Sequence, residues 1–121
     1  MANAINEAEL LARLEGDEEL LQELIDAFFA ESGESLQQVL DAVSRHDAPG
    51  LDRAAHKLKG TVSLFGGEEA TQSALVLETM GRTGNLDQAE ASSRQLQGLM
   101  EALGKALAEL REKHVQSSDR G

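Results

Sequence analysis

The chain has 121 residues and a net charge of −11, which argues against nucleic-acid binding because the phosphate backbone requires a basic surface. It contains no cysteine, so disulfides and thiolate metal sites are excluded. No apolar run approaches the roughly 20 residues that cross a bilayer, and the start of the chain lacks a secretion signal. We therefore expect one cytoplasmic domain with no membrane contact.

The first half of the chain reads as two helices followed by a turn. A short opening helix can be capped by Asn6 and ends at Gly16. Asp17 then caps a long helix, with acidic residues in its first turn where the helix dipole favours them. Gly33 is expected to bend this helix, and the segment 47–50 (Asp-Ala-Pro-Gly) is a turn signal that ends it.

Three further helices follow with short connections. The third spans about 49–65, and the glycine pair 66–67 ends it. The fourth begins near Glu68 and ends in the segment 81–84, and Asn85 is expected to cap the last helix. This pattern predicts an all-α fold: an antiparallel four-helix bundle with a short extra N-terminal helix. We expect a single domain over 1–121, with a core of about 5–114 and a loose tail at 115–121.

The third helix places one histidine opposite its apolar stripe. Apolar residues recur at spacings of four, three, four and three, which is typical of a helix packed against others; they are Leu51, Ala55, Leu58, Val62 and Phe65. At about 100° per residue, His56 points away from the middle of this stripe, and it shares its face with Asp52, Lys59, Gly60 and Ser63. A core histidine would lie within the stripe.

This face suits a phosphoryl group. Gly60 costs about 1 kcal/mol relative to alanine in a helix interior, and its missing side chain leaves the neighbouring surface open to a bulky visitor. An accessible neutral imidazole is a nucleophile, and the ammonium of Lys59 can stabilise an anion held on it. The residues 51–67 carry a charge of +2 and the rest of the chain −13, so a small basic island on an acidic protein could attract an acidic partner.

Other chemistries have weaker support. His46 lies at a helix end beside Asp47, and His114 lies in the last turn of the last helix, so both are interpreted as structural. No glutamate stands three residues before any histidine, and Asp52 with His56 would give only two ligands, so no metal site is predicted. Nucleophile triads, P-loops and kinase glycine loops are also missing.

The segment Ala55-His56-Lys57-Leu58-Lys59-Gly60 resembles the signature of histidine phosphotransfer (HPt) domains. The similarity extends to Gly66, to Leu75-Val76-Leu77-Glu78 followed by Gly81 and Asn85, and upstream to the segment 16–28, so that it covers roughly residues 5–110.

The resemblance implies a four-helix bundle that exchanges a phosphoryl group with aspartates of receiver domains. By position, His56 is the phosphoacceptor and Lys59 stabilises the phosphoryl group, while Lys57, Gly60, Ser63 and Leu64 would contact the receiver. The protein would then be a monomeric phosphocarrier without kinase activity of its own, and the Mg²⁺ needed for transfer would come from the receiver.

An alternative function is a non-catalytic helical adaptor that binds a receiver domain or self-associates. Its marker would be an exposed apolar surface near the site, for which Leu64 is the candidate. Neither the identity of the receivers nor the direction of phosphate flow follows from the sequence.

Overall fold

The computed structural model describes residue 5, residues 7–65 and residues 67–119, with side chains as far as residue 113. Within this part the regular structure is entirely helical, as the sequence predicted. The five helices are α1 (Glu7–Arg13), α2 (Glu18–Ser44), α3 (Ala48–Ser63), α4 (Glu68–Thr83) and α5 (Ala89–Asp119).

An aspartate side chain caps the N-terminus of α2, and another caps the N-terminus of α3. The side chain of Asp17 accepts a hydrogen bond from Leu20 N at 3.0 Å, which confirms the predicted cap of α2. Asp47 accepts from Gly50 N at 3.0 Å in the same way. The predicted turn at 47–50 is therefore wrong in part, because Ala48 already begins α3 and Asp47 is its cap. Pro49 fits in the first helical turn, where its missing N–H has no intrahelical partner to lose.

Several helix boundaries differ from the predicted ones. Helix α2 continues through Gly33 as the predicted single long helix, but it ends at Ser44, before the predicted turn. Asn85 does not cap α5: its side chain accepts from Asp87 N at 3.2 Å in a turn, and the helix begins at Ala89. The backbone of α5 stays helical as far as Asp119, beyond the predicted core boundary at residue 114. The predicted roles of Asn6 and Gly66, and the end of the tail at 120–121, lie outside the described residues.

Helices α2 to α5 form a closed antiparallel bundle. Helix α2 packs against α3 and α5, and α4 packs against the same two neighbours. The antiparallel order is visible in contacts between distant residues: Asp26 near the start of α2 bonds Arg111 towards the end of α5 at 2.6 Å, and Gly81 near the end of α4 lies against Asp52 near the start of α3. The glycine Gly84, at φ 79°, ends α4 in the left-handed conformation that favours this residue. The predicted end of α4 at 81–84 is thus confirmed.

The core lies between the four long helices and is almost wholly aliphatic. All five residues of the α3 stripe are buried, with no more than 2% of any of them exposed. The short helix α1 lies against one end of the bundle, where Leu10 is buried in the core. Its Arg13 donates a 3.5 Å hydrogen bond to the carbonyl of Ser63 at the end of α3. No helix in the described ranges is long and apolar enough to span a membrane.

Candidate functional site

The side chain of His56 projects from the middle of α3 into solvent. Its exposed fraction is 68%, whereas its neighbours Ala55 and Leu58 are completely buried. The predicted exposure of this histidine is therefore confirmed. The helix periodicity produces it, because the residues that pack on α2 and α4 occupy the other faces of α3.

A buried carboxylate on α4 holds the imidazole. Glu78 is only 2% exposed, and its Oε2 lies 2.8 Å from Nδ1 of His56. The second oxygen, Oε1, accepts a hydrogen bond from Nζ of Lys59 at 2.6 Å. Arg82, one turn further along α4, donates to Oε2 at 3.0 Å. Three basic groups thus surround one carboxylate. A buried carboxylate stays ionised only when such partners replace its lost hydration.

The charge state of Glu78 follows from these neighbours. The hydrogen bond from Lys59 is the largest cause that lowers the pKa of Glu78 below its ordinary value of 4.5. Burial acts in the opposite direction, and the hydrogen bond from His56 adds to the lowering. The carboxylate is therefore ionised at neutral pH and can only accept hydrogen bonds.

An acceptor beside Nδ1 fixes the tautomer of the neutral imidazole. Because ionised Glu78 has no proton to donate, Nδ1 of His56 must carry the hydrogen in their 2.8 Å contact. The lone pair of the neutral ring then lies on Nε2, the nitrogen further from Glu78. The exposed ring presents this nitrogen to solvent as the nucleophile.

A glycine at the crossing of α3 and α4 sets the distance between the two helices. A Cβ on Gly81 would lie 2.4 Å from the backbone nitrogen of Asp52 and 2.7 Å from the carbonyl oxygen of Ala48. Both are backbone atoms of α3, which cannot move aside as a flexible side chain could. The missing side chain therefore lets α4 approach closely enough for Glu78 to bond both His56 and Lys59.

Lys59 is the predicted residue whose environment differs most from expectation. We expected an exposed side chain, but it is only 27% exposed and its ammonium is bound to Glu78. The wrong prediction has a simple cause: the position of α4, which covers this side of α3, was not deducible from the α3 pattern alone. Lys59 and His56 do share a site, joined by the two oxygens of one carboxylate.

The four residues predicted to contact a partner all lie on the outer surface of α3 or at its end. Lys57, Gly60, Ser63 and Leu64 are exposed. A Cβ on Gly60 would meet no atom within 4 Å, so the space predicted beside His56 is confirmed. Leu64 is 55% exposed, and the hydroxyl of Ser63 donates to the carbonyl of Gly60 at 3.0 Å.

Glu78 and Arg82 belong to the site but were not among the predicted site residues. A signal for Glu78 was present, because it lies four residues after the buried Ala74 and three before Gly81, on the face of α4 that packs on α3. A charged residue on a packing face requires a partner. Which partner it has, 22 residues earlier in the chain, depends on the helix packing and not on local spacing.

His46 has no comparable surroundings in the described structure. His46 lies in the connection between α2 and α3 with a positive φ of 56°. The side chain of His114 lies outside the described residues. Among the residues that are described, no group of three histidine, aspartate or glutamate side chains could hold a metal ion.

Comparison with known proteins agrees with this arrangement. The family model described as "Hpt domain" matches residues 23–111, which is most of the chain and includes α3, α4 and both members of the His56–Glu78 pair. The chain belongs to the Hpt domain family.

One solved Hpt structure resembles the chain over nearly its whole length. It is the crystal structure of histidine-containing phosphotransfer protein B (HptB) from Pseudomonas aeruginosa PAO1, with 26% sequence identity and a TM-score of 0.85. The match covers 93% of this chain and 98% of HptB. A comparison with curated proteins gave no match.

Proposed function

We propose that this Hpt domain is a phosphocarrier in a multistep phosphorelay: His56 accepts a phosphoryl group from an aspartate of one receiver domain and passes it to an aspartate of another. The observation that carries the proposal is the 68% exposed imidazole whose Nδ1 is fixed by Glu78. The open space at Gly60 supports it, because a receiver must bring its aspartate close to Nε2.

The transfer step needs little from this chain. The lone pair of Nε2 attacks the phosphorus of the aspartyl phosphate, an N–P bond forms, and the P–O bond to the aspartate breaks. The aspartate leaves as a carboxylate with the bonding electron pair. The proton on Nδ1 stays in its hydrogen bond to Glu78. Because Nε2 carries no proton in this tautomer, it can attack without being deprotonated first. Return transfer to a second receiver reverses these bonds.

Lys59 is proposed to stabilise the phosphoryl oxygens. An ammonium has three donors, and one of them is bound to Glu78 in the free protein. The remaining donors can reach for a phosphoryl oxygen while that bond holds the side chain in place. We further propose that the Mg²⁺ of the reaction is held by the receiver, and that this chain acts as a carrier without kinase activity of its own.

The assignment of His56 is tested by labelling with phosphorylated receiver domains and Mg²⁺. Wild type should acquire an acid-labile phosphoryl group, and His56→Gln should not. His46→Gln is the matched control and should label like wild type, since this histidine has none of the surroundings of His56. Labelling of His56→Gln at the wild-type rate would contradict the proposal.

Lys59→Ala tests the role of the ammonium in the same assay. We expect a transfer rate about tenfold lower than wild type, because one charge-assisted contact to the developing phosphoryl charge is lost. Circular dichroism must show the same helix content in variant and wild type. A wild-type rate in a folded Lys59→Ala protein would exclude Lys59 from the phosphoryl site.

The adaptor alternative makes a different prediction in the same experiments. An adaptor would bind a receiver domain equally well before and after His56→Gln and would never carry phosphate. Its marker, the 55% exposed Leu64, is present in the structure. Binding without labelling across a complete set of receiver domains would favour it over the relay.

A further inference from the structure

A second exposed stripe runs along α3 beside His56. Its members recur at spacings of four, three and four, so they share one face of the helix; they are Arg53, Lys57, Gly60 and Leu64. All four are exposed. The stripe therefore presents two cations, a position without a side chain, and an apolar residue in that order along the helix.

The cations on the two sides of His56 differ in whether they are already paired. On the side towards α4, Lys59 and Arg82 are both bonded to Glu78, at 2.6 and 3.0 Å. On the other side, Arg53 and Lys57 have no ion pair among the described residues. Arg82 also lies 4.0 Å from Asp52, so two carboxylates offset the charges of these two cations. Arg53 and Lys57 have no such offset in the described part of the chain and remain available to a partner.

The groove next to the stripe adds a third cation. It has a volume of about 350 Å³ and lies between the end of α2 and α3, with Arg45, Arg53 and Lys57 along its walls. Two carboxylates also line it, but both are engaged in hydrogen bonds within the protein. Asp41 accepts from the side chain of Gln37 at 2.9 Å, and Asp47 caps α3.

The neighbouring helix has the opposite charge. Helix α2 carries no basic residue and seven acidic ones, whereas α3 carries three basic residues and one acidic residue. The acidic residues of α2 are Glu18, Glu19, Glu23, Asp26, Glu31, Glu34 and Asp41. An approaching protein therefore meets a short basic region surrounded by acidic surface. The charges on the approaching protein then determine its orientation.

From these observations we propose that the receiver domain approaches His56 from the α2 side of α3, with carboxylates of the receiver opposite Arg53 and Lys57 and an apolar residue opposite Leu64. This inference rests on the proposed function and adds to it the direction of approach and the chemistry of the partner surface. Gly60 lies between the basic and apolar parts of the stripe, where the receiver backbone comes closest.

The inference is tested by reversing two charges on the stripe and, as a control, two charges on α5. The variant Arg53→Glu/Lys57→Glu is compared with Arg94→Glu/Lys105→Glu, which makes the same change of net charge on α5. The probe is the phosphorylated receiver that transfers fastest to wild type, at several salt concentrations. We expect the stripe variant to raise KM at least tenfold at low salt and to lose most of the salt dependence, with kcat within twofold of wild type.

The control pair must leave KM within about twofold of wild type. If both pairs raise KM equally, the effect comes from net charge alone and the proposed orientation is wrong. If transfer persists but the stripe variant behaves like wild type, the receiver docks elsewhere, while the proposed phosphorelay role of His56 still stands. Loss of labelling in wild type itself would instead contradict the proposed function.

The apolar end of the stripe has its own control. Leu64→Ser should raise KM about fivefold or more, because an apolar contact of the receiver is lost. Val76→Ser on α4 removes a residue of similar exposure, 46% against 55%, that lines the groove between α4 and α5. Equal effects of Leu64→Ser and Val76→Ser would overturn the proposed direction of approach.

Discussion

At the scale of single residues, Glu78 explains how an exposed histidine can be held in one orientation. An imidazole on a helix surface is normally free to turn about its side-chain bonds. Here its Nδ1 is held at 2.8 Å by a carboxylate that is itself 2% exposed and held by Lys59 and Arg82. The hydrogen bond therefore restricts the rotation of the ring and the position of Nε2. Less conformational entropy is then lost when the transition state forms.

Replacing Glu78 by glutamine separates these roles. The amide has one oxygen and one NH₂ group, so it can accept a hydrogen bond from either His56 or Lys59, and its NH₂ then faces the other donor. We predict that Glu78→Gln lowers the single-turnover transfer rate about tenfold, the lower end of the effect seen when a carboxylate that orients a metal-bound imidazole is changed. NMR of the ring nitrogens should also show a smaller fraction of the tautomer protonated at Nδ1.

The control for this variant is Glu90→Gln, which alters a carboxylate bonded to Arg94 on the exposed surface of α5. It should transfer at the wild-type rate. A Glu78→Gln protein with wild-type rate and wild-type tautomer ratio would show that the ring is oriented by something other than this carboxylate.

At the scale of helices, the site depends on how closely α3 and α4 cross. The close approach occurs at Gly81, next to Asp52 and one turn from Glu78. We predict that Gly81→Ala forces the helices apart and destabilises the bundle by about 1–3 kcal/mol, as overpacking typically does. The transfer rate should fall as well, because the His56–Glu78 contact lengthens. Chemical denaturation and single-turnover kinetics measure the two effects.

Gly60→Ala is the matched comparison, since it makes the same change in the open part of α3. It should leave the unfolding free energy equal to that of wild type or slightly increased, because alanine has the higher helix propensity. If Gly81→Ala were as stable as Gly60→Ala and transferred at the wild-type rate, the spacing of α3 and α4 would not be set by Gly81.

The helices themselves could be predicted from sequence more fully than their contacts. The periodic stripe of α3 and the cap at Asp17 are local signals, and the structure confirms both. The start of α5 was misplaced at Asn85, because a residue that caps a helix also forms turns by the same hydrogen bond. The pairing of His56 with Glu78 could not be predicted, since it depends on the register of two helices against each other.

At the scale of the whole molecule, one buried ion cluster contributes to stability in a pH-dependent way. The pKa of Glu78 is lowered in the folded protein, so folding favours its ionised form. This contribution is present above the ordinary value of 4.5 and is lost as the pH falls through the lower folded value. The groups that face the carboxylate are His56, Lys59 and Arg82.

We therefore predict that the difference in unfolding free energy between wild type and Glu78→Gln shrinks as the pH is lowered below about 4.5. Urea unfolding at a series of pH values measures it. The difference between wild type and Glu90→Gln should change much less over this range, because that carboxylate is 74% exposed. A constant difference for Glu78→Gln would mean that its pKa is not lowered by folding.

The most direct test is to identify which ring nitrogen of His56 becomes phosphorylated. The hydrogen bond from Nδ1 to Glu78 leaves Nε2 of His56 as the nucleophile. Long-range proton–nitrogen NMR of the phosphorylated, nitrogen-15-labelled protein identifies both the residue and the ring nitrogen. We predict a single phosphohistidine, at Nε2 of His56. Phosphate on Nδ1 of His56, or on His46, would contradict the account.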